Sequence, residues 1–66
     1  MKNNSFTVTP DYVRHKIRML ENALIGTRID LAKQTRQMDI DGHLAQIDLY
    51  EKKLAAEKAR LAAMTA

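Results

Sequence analysis

The stretch from Thr9 to Leu31, TPDYVRHKIRMLENALIGTRIDL, decides the fold. It opens with residues that start helices and then runs on without another proline. The Thr9 hydroxyl can accept a hydrogen bond from one of the orphan N–H groups of a first helical turn. Pro10 follows at the first helical position, where its missing N–H costs nothing. Asp11 places negative charge where the helix dipole favours it. Val8 and Val13 have the spacing of a hydrophobic staple across that start. At 100° per residue, Val13, Ile17, Leu20, Leu24, Leu31 and Met38 fall within an arc of about 60°. Thr27 and Gln34 fill polar slots on the same seam. A second apolar strip, Ile25 and Ile29 with Ala32 at its near edge, has its two isoleucines displaced by about 80–120° from Ile17. A helix in a lone hairpin needs one buried stripe, whereas a helix in a bundle of four uses two. The second strip therefore predicts an oligomer interface.

Downstream, Met38-Asp39-Ile40-Asp41-Gly42 carries turn chemistry, with aspartates able to cap a new helix and a glycine where backbone must reverse. Ile47, Tyr50, Leu54, Leu61 and Met64 then form a second helical stripe. Met38 precedes Ile47 by nine residues, a rotation of about 900°, so one unbroken helix would put the two stripes on opposite sides. A hairpin brings them face to face. The sequence thus predicts an all-α antiparallel two-helix hairpin over residues 9–66, with helix 1 at about 10–38, a turn at 39–42 and helix 2 at about 42–64. Its core is expected from Val13, Ile17, Leu20, Leu24, Leu31, Ile47, Tyr50, Leu54 and Leu61. Residues 1–8, which include Phe6, read as a flexible N-terminal arm.

Composition points the same way. The 66 residues hold one proline, two glycines, three aromatics and no cysteine, but are rich in alanine, leucine, lysine and arginine. That is the make-up of helical bundles rather than sheets. A chain of this size buries only about 60% of its unfolded surface and needs a staple. Without cysteine, disulfides and thiolate sites are excluded, which leaves association. The prediction is a homodimer closing into a four-helix bundle. No apolar run approaches the roughly 20 residues that cross a bilayer, and the N-terminus does not read as a signal peptide. A cytoplasmic protein without membrane contact is expected.

Catalytic chemistry has little to build on. His15 and His43 lie at opposite ends of the hairpin and have no third ligand. Asp39, Asp41 and Asp48 lack the ligand pattern of a calcium loop. No nucleophile triad and no glycine-rich phosphate loop is present. Neither an enzyme nor a cofactor, metal or small-molecule substrate is expected. The charged feature that stands out in a chain of net charge +3 is Arg14, Lys16 and Arg18, a basic group able to meet nucleic acid or an acidic partner. Tyr12, Met19, Ala23 and Leu49 project away from the seam and could dock a partner helix.

In outline such a hairpin is similar to the plasmid RNA-binding hairpin Rop and to the small helical co-chaperones of type III secretion. The likeness is one of size and shape and carries no residue motif. The expected function is a small non-enzymatic protein-interaction module, an adaptor, co-chaperone or inhibitor of bacterial or phage type, with another protein as its target. The alternative is a Rop-like nucleic-acid-binding regulator using the Arg14, Lys16 and Arg18 group.

Overall fold

A computed structural model describes residues 8–65 as two α-helices, α1 at Pro10–Ala32 and α2 at Gln37–Thr65. The start of α1 is held as its residues dictate. Thr9 is extended at φ −101°, ψ 158°, and its Oγ1 accepts from the Tyr12 N–H at 3.2 Å. The Thr9 carbonyl accepts the first helical bond, from the Val13 N–H at 3.1 Å. Val8 is half-buried and Val13 fully buried. The remainder of the expected N-terminal arm, residues 1–7 with Phe6, lies outside the described residues.

The reversal does not fall at 39–42. α1 stops at Ala32, six residues short of the expected Met38, and α2 begins at Gln37. The turn is therefore made by Lys33, Gln34, Thr35 and Arg36, without glycine or proline. It needs neither, because Lys33 stays in the right-handed region (φ −91°, ψ −11°) and no described residue has a positive φ. Tight i to i−3 bonds close the end of α1, from Lys33 N–H to the Asp30 carbonyl at 3.1 Å and from Gln34 N–H to that of Leu31 at 3.0 Å. The Gln34 side-chain amide donates to the same Asp30 carbonyl as well, at 3.0 Å, so that oxygen accepts twice. Across the turn, the Arg36 carbonyl accepts from the Ile40 N–H at 3.0 Å and so opens α2.

The residues read as a turn are thus the first turns of α2. Asp39 stands near the positive end of the helix dipole and accepts from Arg36 Nε at 3.2 Å. Asp41 accepts from Gln37 Nε2 at 2.8 Å, one turn apart. Gly42 sits inside the helix. Met38 leaves the α1 seam altogether and is 81% exposed. The half-turn offset between the two stripes does reflect a break, but the break precedes Met38 rather than following it. The helices also differ in length, 23 residues against 29, where nearly the reverse was expected.

The two helices pack antiparallel. Three ion pairs cross between them and fix the register: Lys16 Nζ to Glu57 Oε2 at 3.3 Å, Glu21 Oε2 to Lys58 Nζ at 3.7 Å, and Arg28 Nη2 to Glu51 Oε2 at 2.8 Å. Between them runs the seam. Val13 and Leu24 are buried, while Ile17, Leu20, Leu31, Ile47, Tyr50, Leu54 and Leu61 are half-buried, together with Ile40, His43 and Met64. The body measures 52 × 28 × 14 Å. A helix with its side chains is about 10–12 Å across, so the hairpin is a single layer with two open faces. Among the described residues, no helix is long and apolar enough to cross a membrane.

Candidate functional site

What this chain can do is set by the residues that the seam leaves uncovered. Among the described residues, seven large apolar side chains remain exposed: Tyr12 (41%), Met19 (58%), Ile25 (56%), Ile29 (53%), Met38 (81%), Leu44 (49%) and Leu49 (48%). Of the described residues, two apolar ones are buried, Val13 and Leu24. Isolated exposed apolar residues are ordinary, but an aligned set is informative.

On one side of the layer, an open groove between the helices is lined by Leu24, Ile25, Leu54 and Ala55, with Glu21, Arg28, Glu51 and Lys58 along its edges. Those four charges are already joined across the helices as Glu21–Lys58 and Arg28–Glu51. Each pair is neutral and each side chain is about half exposed. Helical periodicity extends this flank in both directions. On α1 it runs through Arg14, Arg18, Ile25, Ile29 and Ala32, all exposed. On α2 it runs through Asp41, Leu44, Asp48, Ala55, Ala59 and Ala62, all exposed as well. The expected interface residues Ile25, Ile29 and Ala32 thus share one uncovered face. Leu44 joins them there. It lies one turn before Ile47, where the apolar stripe of the second helix begins in the sequence, and on a different side of the helix from that stripe.

The opposite side is different in character. A smaller groove is lined by Lys16, Leu20, Lys53, Ala56 and Glu57. Tyr12, Met19 and Ala23 of α1 and Leu49 of α2 project toward this side.

The basic group Arg14, Lys16 and Arg18 does not form one patch. Arg14 and Arg18 belong to the Ile25 flank, and Arg14 Nη1 donates to Asp11 Oδ1 at 2.8 Å. Lys16 lies on the other side, its ammonium shared between Glu57 and the Tyr12 ring, 5.8 Å from the ring centroid. The spacing of 14, 16 and 18 suits a strand better than a helix, since residues two apart on a helix point about 200° apart. Likewise, His43 is committed locally, with Nδ1 2.7 Å from the Asp39 carbonyl oxygen. Among the described residues, no group of three His, Cys, Asp or Glu is placed to hold a metal ion.

A comparison with protein-family models, with curated proteins and with solved structures finds no match to this chain. The reading of its function rests on these surfaces.

Proposed function

We propose that the chain is a non-enzymatic helical interaction module that pairs with a second copy into a four-helix bundle and presents its outer faces to another protein. The observation that carries this reading is the contrast, among the described residues, between two buried apolar side chains and seven large exposed ones in a layer 14 Å thick. Burial of apolar surface is the main favourable term in folding, at about 25 cal/mol per Å². A hairpin that leaves Ile25, Ile29 and Leu44 in water forgoes much of it, and a second layer recovers it. Closure against another copy leaves Tyr12, Met19 and Leu49 on the outside. There they make a strip suited to a partner helix, in the cytoplasm of a bacterial or phage-infected cell. The adaptor, co-chaperone and inhibitor roles all use such a strip.

Binding to nucleic acid is the less supported alternative, since Arg14 and Lys16 are each paired within the chain and lie on different sides. Two experiments test the proposal. The double variant Ile25→Asp, Ile29→Asp should give monomers or an unfolded chain by sedimentation and circular dichroism. A variant that keeps the wild-type mass and helicity would contradict the assignment of that strip. Partner binding should vary little with salt. A steep loss of affinity as salt rises, together with loss in Arg14→Glu, Arg18→Glu, would favour phosphate contacts instead.

A further inference from the structure

The face that carries Ile25 is not uniform along its length, and its gradient says how a second copy must lie on it. Toward the turn the large exposed apolar residues are Ile29 and Leu44, with the smaller Ala32 beside them. Ile25 and Ala55 lie level at mid-length, and toward the open end, where the start of α1 meets the end of α2, the exposed apolar residues are small: Ala59 and Ala62. Charge follows the same axis. Arg14 and Arg18 stand at the open end, while Asp41 and Asp48 stand toward the turn. Of these, Arg18 has no ion pair among the described residues, and Asp48 has only the exposed i, i+4 pair with Lys52 at 2.9 Å.

We infer that two copies pack through this face antiparallel, the open end of one over the turn of the other. The inference rests on the proposed self-association and fixes its direction. Two-fold symmetry makes the same patch serve both partners, so only two lengthwise arrangements bring these faces together. If the hairpins ran parallel, the ends rich in large residues would coincide, as would the alanine ends, and the arginines of both copies would crowd at one level. Close packing tolerates neither a layer of clashes nor a layer of voids. In the antiparallel arrangement, Leu44 of one copy enters the space over Ala59 and Ala62 of the other. Ile25 lies near the two-fold axis, and arginine at one end meets aspartate from the other. The central ion pairs Glu21–Lys58 and Arg28–Glu51 bring no net charge to the interface and favour neither direction. Two helices overlapping over the length of α1 offer about 700 Å² per copy, close to the roughly 800 Å² per partner of an ordinary stable interface.

Spin labels read the direction without touching the face. The chain has no cysteine, so Ala45→Cys and Ala63→Cys each give a single attachment point. Both are exposed on α2, on its edge away from α1, near the turn and near the open end respectively. In the full chain, with helicity checked by circular dichroism, distances between copies are measured by pulsed electron resonance. The antiparallel dimer expects Ala63 labels about 30 Å or more apart and a mixed Ala45–Ala63 pair within about 20 Å, since each residue of helix adds 1.5 Å. A mixed distance longer than the matched Ala63 distance would overturn the direction while leaving the dimer in place. Absence of any distance between copies at high concentration would overturn the dimer itself.

Discussion

Leu24 and Ile25 are neighbours in the chain and opposites in environment, one 4% exposed and the other 56%. They are 100° apart on the same helix. The first points into the seam between α1 and α2, where the chain supplies its own partner. The second points over the edge of the layer, where it does not. The difference teaches that folding and assembly are divided between two stripes of one helix. The seam specifies the hairpin and the flank calls for a second layer. Substitutions on the two stripes should therefore fail in different ways.

Leu24→Ala should have the largest effect, because it empties a closed site. Core truncations of this kind cost about 2–5 kcal/mol, enough to unfold a small hairpin or lower its melting temperature steeply. Thermal melts followed by circular dichroism should show this loss at every protein concentration. Ile29→Ala should cost less, about 1–2 kcal/mol per copy, in proportion to the area it covers only on association. Its signature is different: the loss should appear as a shift in the concentration dependence of the melt. Equal and concentration-independent losses at both sites would erase the distinction between seam and flank.

Gly42 provides a control that lies on neither stripe. It is inside α2, without a positive φ, and an added Cβ would meet nothing within 4 Å. Gly42→Ala should therefore stabilise the chain by up to about 1 kcal/mol. A loss of stability would return the turn to residues 39–42. The smallest effect is expected at Arg28 and Glu51, whose pair in a lone hairpin is an exposed bridge worth about 0–1 kcal/mol. Under a second layer the same pair loses water, and an apolar pair of similar size becomes the better choice. The double variant Arg28→Met, Glu51→Leu should thus tighten association in sedimentation while doing little for, or slightly weakening, the dilute chain.

The sequence announced the parts of this fold that rest on local chemistry or on strong periodicity. Thr9, Pro10 and Asp11 each carry a distinct capping signal, and the helix starts where they place it. The seam was legible because Val13, Ile17, Leu20 and Leu24 repeat at one phase. The turn was not legible, because Lys33, Gln34, Thr35 and Arg36 reverse the chain without a positive φ, in geometry that any residue can adopt. Gly42 and the aspartates around it drew the reading away, although aspartate is as much at home in a first helical turn as in a loop. That misplacement hid Leu44, and with it the size gradient of the outer face. Arg14, Lys16 and Arg18 are close in sequence, but the helix turns Lys16 to the other side of the layer from the two arginines.

Sedimentation equilibrium of the unmodified chain across micromolar concentrations tests the central claim most directly. A mass of two chains, dissociating on dilution, is the expected result. A fully helical single chain at every concentration, with Ile25 and Ile29 left in water, would contradict it.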